Sequence, residues 1–225
     1  MEGIAVALKS AEDVKAVAAE LRRNTRTNLF YCAWVMQYES ALRISDLLTL
    51  TWSQFSAGKT HIEVKQQKSK RKADPNKKVK PLRIKITDTM RKIVEMRREE
   101  QSTMPVKTDF IFSKGDLRSR GNAVTRNTVF TEFSKIGRRV GFSNVGCHTP
   151  RKSKGRILFS AGVPVEQIAL LLGHADPRST LFYIGYTLEV GDELTEEFSL
   201  EILISCADAG TTASPGKCRT NNPCS

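Results

Sequence analysis

Several things are scarce in this chain of 225 residues. Cysteine occurs five times, an odd number with no Cys-x-x-Cys pair, at Cys32, Cys147, Cys206, Cys218 and Cys224. That pattern indicates neither a disulfide framework nor a cysteine zinc site, and it suits a reducing compartment. No apolar run approaches the ~20 residues that a membrane-spanning helix needs. A secretory leader is not legible either, because Glu2, Lys9, Glu12 and Asp13 interrupt the N-terminal stretch. Internal repeats are absent. Histidine is rare, with three in the whole chain, two of them between His148 and Tyr183.

Positive charge, by contrast, is abundant. Thirty-six Lys and Arg stand against 24 Asp and Glu, a formal net charge of +12. A surplus of that size points to a polyanionic partner. It is also unevenly spread. Residues 56–86 hold eleven basic side chains against Glu63 and Asp74, whereas residues 188–225 hold seven acids against Lys217 and Arg219. The basic stretch reads as an arm following a phosphate backbone, with Lys65, Lys70, Arg71, Lys72, Lys77 and Lys78 as its DNA contacts.

The periodicity predicts an α+β fold that is mostly α-helical. Ser10 and Asp13 resemble a capping box opening a helix over 11–22. Further helices are expected over 26–39, 88–101, with Arg91, Arg97 and Arg98 outward, and 127–140, capped by Asn127. Residues 60–67 and 79–86 alternate apolar and polar side chains and read as a small antiparallel β-hairpin inserted among the helices. Thr149-Pro150 reads as an N-cap and first helical residue, Gly162 and Pro164 as a break, and Gly173 as a helix end. Asp176-Pro177 opens a short helix carrying Tyr183. Residues 192–205 form an acidic amphipathic segment, and 206–225 have the composition of a disordered tail.

The stretch from His148 to Tyr183 suggests a chemistry. Displacement at a phosphodiester builds charge on non-bridging oxygens, which arginine can grip two at a time. Histidine can donate to a further oxygen or move a proton. A phenol is a poor nucleophile at neutral pH and needs such surroundings. Arg43 and Asp46, charged residues in the apolar stretch Ala41–Trp52, call for a partner or a function.

These residues resemble the catalytic domain of the tyrosine recombinases, the phage-integrase family, over roughly residues 10–200. Ala41-Leu-Arg43-Ile-Ser-Asp46-Leu-Leu-x-Leu-x-Trp52 is similar to the family's first arginine box and Gln67-Lys68-Ser69 to its hairpin lysine motif. His148-x-x-Arg151 and Leu172-Gly173-His174 are similar to its second and third boxes, and Tyr183 follows at the usual nine-residue offset. The order and spacing of five elements carry the resemblance, since His-x-x-Arg alone is common. Ala41 stands where glycine is usual and Pro150 where leucine is.

The resemblance implies one catalytic domain over 1–205, without the separate N-terminal core-binding domain that most members carry. It implies a site-specific recombinase in which Tyr183 attacks a DNA phosphate, giving a 3′-phosphotyrosine and a Holliday junction. Arg43 and Arg151 would hold the phosphate, Lys68 would protonate the leaving 5′-oxygen, His148 would assist at the tyrosine and His174 would bind the phosphate. Asp46 would support the first box, and Tyr186 is the rival nucleophile. Metal, cofactor and ATP would not be required. The implied partners are double-stranded DNA, a homo-tetramer on synapsed sites with the 192–205 segment docking on a neighbour, and accessory DNA-bending proteins. The implied place is the nucleoid in the cytoplasm. A type IB topoisomerase would use similar residues, a non-catalytic regulator could keep the same fold, and a generic nucleic-acid-binding protein would need the basic arm alone.

Overall fold

The computed structural model describes residues 5–65, 81–174 and 176–185. Helix α1 (Ala11–Asn24) opens with the expected capping box, Ser10 Oγ accepting from the Asp13 amide and the Asp13 carboxylate accepting from the Ser10 amide. Helix α2 (Leu29–Ser40) is largely apolar and is the centre of the domain, packed against α1 and the later helices. Its Trp34 is fully buried, donates to the Val14 carbonyl at 3.1 Å and meets Phe133 edge-on at 5.0 Å. A helix that is apolar over most of its circumference is buried over most of it, and here a stripe of Tyr31, Val35, Tyr38 and Glu39 stays partly exposed. It starts at Leu29 rather than 26, after Thr25 Oγ1 has closed α1 on the Leu21 carbonyl.

The chain then forms the short α3 (Ile44–Leu47) and a 3-10 turn over Trp52–Phe55. Strands β1 (His61–Val64) and β2 (Leu82–Lys85) pair antiparallel, with Ile62 opposite Ile84. Both lie within the predicted strands, of which residues 66–67 and 79–80 fall outside the described residues. Most of the basic arm, with Lys68, Lys70, Arg71, Lys72, Lys77 and Lys78, lies outside the described residues; Lys65 is exposed just beyond β1.

Helix α4 (Asp88–Ser102) buries Met90, Ile93, Val94 and, against expectation, Arg97. The Arg97 guanidinium donates to the carbonyls of Ile111 at 3.2 Å and Ser113 at 2.7 Å and pairs with Glu100. It thereby ties the short extended segment around Phe110–Ser113 to the helix. Helix α5 (Arg126–Arg139) is capped by Thr125, whose hydroxyl accepts from the Thr128 amide, not by Asn127. Helices α6 (Thr149–Ser160), α7 (Val165–Leu172) and α8 (Pro177–Ile184) complete the described domain. Thr149 is already inside α6, so His148 takes the capping position. The 192–205 segment and Tyr186 lie outside the described residues. Among the described residues, no helix is long and apolar enough to cross a membrane.

Candidate active site

Two chain reversals set the frame. Ala41 ends α2 in the left-handed region at φ 53° and turns the chain so that Arg43 caps α3. Gly173 ends α7 the same way at φ 59°, where glycine carries no steric penalty, and delivers His174. Asp176 then caps α8 by accepting from the Arg178 amide at 3.0 Å.

Side chains lock these pieces together. The buried Gln37 carboxamide donates to the Leu42 carbonyl at 3.3 Å and the Cys147 carbonyl at 2.8 Å, joining the segment before Arg43 to the segment before His148. Lys154 donates to the Glu39 carbonyl at the end of α2. Gly155 lets α8 rest directly on α6: a Cβ there would lie 2.7 Å from Ile184 Cγ2. That close approach brings Tyr183 beside Arg151.

Arg151 is the hub of the site and is 1% exposed. One terminal nitrogen donates to the Ala41 carbonyl, and the other to the Leu172 carbonyl while facing His174 Nε2 at 3.3 Å. A guanidinium only donates, so His174 Nε2 is the acceptor, and its Nδ1–H is directed at Thr180 Oγ1, 2.9 Å away. The Tyr183 ring stands edge-on to His174 at 4.9 Å between centroids, and the Arg151 guanidinium carbon lies 5.7 Å from its centre. The Tyr183 hydroxyl is 3.4 Å from His148 Nδ1, a long contact of the kind that shortens when a substrate arrives.

The electrostatics are lopsided. Burial pushes the Tyr183 phenol above its ordinary range, and the charges of Arg151 and Arg43 oppose that. His148 is pushed down to about 4 by burial and then by Arg126, Arg151, Lys152 and Arg43. Its imidazole is therefore neutral at pH 7 and able to accept a proton. Arg43 has a buried Nη1 with no hydrogen-bond partner among the described residues. A buried donor in that condition is destabilising unless an acceptor arrives. Asp46 is buried in α3, and its charge supports that of Arg151. Among the described residues, no cluster of His, Cys, Asp and Glu could hold a metal ion.

The model of the Phage integrase family matches residues 10–187. The chain belongs to that family. A protein of Bacillus subtilis (strain 168), Probable integrase/recombinase YoeC, is 22% identical over 178 residues, which is 79% of this chain and 88% of that protein. Among solved structures, XerA recombinase matches with a TM-score of 0.64 and 16% identity over 87% of this chain and 64% of its own. XerH recombinase in a post-cleavage complex on palindromic difH gives 0.64 and 17% over 89% and 54%. The Tn1549 transposon integrase bound to transposon right-end DNA gives 0.63 and 15% over 86% and 66%. These likenesses are of fold, and this chain spans between 54% and 66% of the length of those three solved chains.

Within the integrase domain, Arg43, His148, Arg151, His174 and Tyr183 come together, while Lys68 lies outside the described residues. Sequence reasoning missed Gln37, Thr180, Arg126 and Lys152. Gln37 carries a signal, a polar residue inside an otherwise apolar helix. Thr180 carries another, three residues before Tyr183 and so on the same helix face.

Proposed function

We propose that this integrase-family chain is a site-specific recombinase that cuts and rejoins duplex DNA through a 3′-phosphotyrosine and a Holliday junction. The observation that carries the reading is the Tyr183 hydroxyl, 3.4 Å from a neutral His148 in a pocket with an excess of cations. Tyr183 Oη attacks the scissile phosphorus. The new O–P bond forms as the P–O5′ bond breaks, the phenol proton passes to His148, and the leaving 5′-oxygen takes a proton from Lys68. The phosphodiester supplies the acceptor for Arg43 Nη1 and the counter-charge that raises the basicity of His148. In the tautomer that carries its proton on Nε2, His174 accepts from the Thr180 hydroxyl at Nδ1 and joins Arg43 and Arg151 as a donor to the non-bridging oxygens. The energy of the broken ester is kept in the tyrosyl ester, so rejoining needs no ATP.

DNA as partner is supported by the net charge of +12 and by the DNA-bound recombinases that share the fold. Lys65 and the rest of the basic arm are the proposed backbone contacts. Assembly of four protomers on paired sites is supported by Leu170 on α7 and Phe182, the neighbour of Tyr183 on α8, both 75% exposed. Such an enzyme works with the DNA of the cytoplasm, aided by DNA-bending proteins where its sites require them.

A nicked suicide substrate tests the reading. Wild-type protein should form an SDS-resistant covalent adduct, and Tyr183→Phe should form none while still binding DNA. An adduct that survives Tyr183→Phe but not Tyr186→Phe overturns the assignment of the nucleophile, and no wild-type adduct on any cognate site overturns the activity.

A further inference from the structure

We propose that Lys152 is a further phosphate-binding residue of the active site, holding the scissile phosphodiester on the side of the nucleophile. The inference rests on the recombinase reading above but uses a residue that none of the family's boxes contains. Lys152 follows Arg151 on α6, and successive helical residues point about 100° apart. Arg151 is turned inward, where it donates to two carbonyls and faces His174 and Tyr183. Lys152 is left half-buried at the rim, its Nζ 5.2 Å from the centre of the Tyr183 ring. Among the described residues its ammonium makes no hydrogen bond and no ion pair.

The surroundings say what is missing. The charges that bear on His148 are Arg126 from α5, Arg151 and Lys152 from α6 and Arg43 from the first box, with no carboxylate among them. On α8 the charged side chain is another cation, Arg178. Burial alone disfavours the charged form of Lys152. A partly desolvated ammonium without an anion, next to a phenol whose target is an anion, fits one ligand: a phosphodiester oxygen within reach of Tyr183 Oη. Lysine suits this place as a compact charge on a flexible stem, able to follow the oxygen as the phosphorus changes geometry.

Three measurements on the full chain decide it. Lys152→Gln should slow adduct formation roughly tenfold or more, with Lys152→Arg largely restoring the rate. A substrate with methylphosphonate at the scissile position lacks the charged oxygen, so there the ratio of wild-type to Lys152→Gln rates should collapse toward one. In a Tyr183→Phe background, where cleavage plays no part, Lys152→Gln should flatten the slope of log K against log salt by about 0.9, one phosphate contact. An unchanged slope overturns the proposal even if the protein cleaves no DNA at all. A rate ratio equally large on both substrates overturns it as well, since Lys152 would then act on the tyrosine or on packing.

Discussion

Arg97 and Arg151 are both buried, at 0% and 1% exposure, and both donate to two backbone carbonyls, yet they end in opposite electrostatic states. Arg97 has Glu100 one helical turn away and is neutralised where it stands. Its work is to fasten the Phe110–Ser113 segment to α4. Arg151 is oriented by carbonyl dipoles, keeps a buried Nε without a hydrogen-bond partner among the described residues, has the Asp46 charge in its support but no direct ion pair, and shares its pocket with Arg43, Lys152 and Arg126. Carbonyls fix a guanidinium in direction but leave its charge standing. One half of the domain thus closes its electrostatics with a direct ion pair, and the other keeps an excess of cations.

The widest separation should come from exchanging the two arginines for other side chains. Arg97→Met removes the cation from the half-buried Glu100, leaving it the Asn28 amide, and should cost about 3–5 kcal/mol in urea unfolding. Arg151→Lys keeps the charge but loses the planar fork, so adduct formation should fall by about 10²–10³ with a smaller loss of stability. A stable Arg97→Met protein, or an Arg151→Lys protein that cleaves normally, would break the contrast.

Acid should find the same boundary. Burial, with the surrounding cations, pushes His148 down to about 4 in the fold, against an ordinary 6.5 in the unfolded chain. Between those values the unfolded chain binds a proton that the native state refuses, so stability falls as pH drops from about 6.5 toward 4. The loss is at most ~3 kcal/mol, and less because the ring is partly exposed. His148→Asn should flatten the pH dependence of urea unfolding over that window. An equally steep dependence in His148→Asn would place the acid-sensitive group elsewhere.

The contrast also separates what the sequence displays from what it hides. Arg43, His148, Arg151, His174 and Tyr183 are legible because each box is local and the residue types state their chemistry. The capping box at Ser10 and the cap at Asp176 are legible for the same reason. Arg97 was not, although it continues the buried face of Met90, Ile93 and Val94. Its charge argues for water, and its acceptors lie on an irregular segment whose position no periodicity reports. Lys152 is hidden differently: its meaning depends on α8 lying against Gly155, a tertiary contact. The hairpin is legible in its alternation, and the described pairing sets His61–Val64 against Leu82–Lys85.

The smallest effect is expected at Ala41, whose carbonyl receives Arg151. Ala41 holds φ 53° and ψ 22°, a conformation that strains any residue with a Cβ by roughly 1–2 kcal/mol. Ala41→Gly removes that strain. Against it stand the extra freedom of glycine in the unfolded chain, about 0.4–1 kcal/mol, and the loss of a buried methyl, about 0.8 kcal/mol. The terms nearly cancel, so the unfolding midpoint should move by no more than about 1 kcal/mol in either direction. Cleavage should be unchanged, because the carbonyl that orients Arg151 stays in place. The acceptors of Arg97 make no such demand, since Ile111 and Ser113 keep ordinary negative φ. Urea unfolding and adduct formation on the same preparation read both quantities. A loss of several kcal/mol, or a loss of cleavage, would show that the Ala41 methyl, and not the backbone turn, is what seats Arg151.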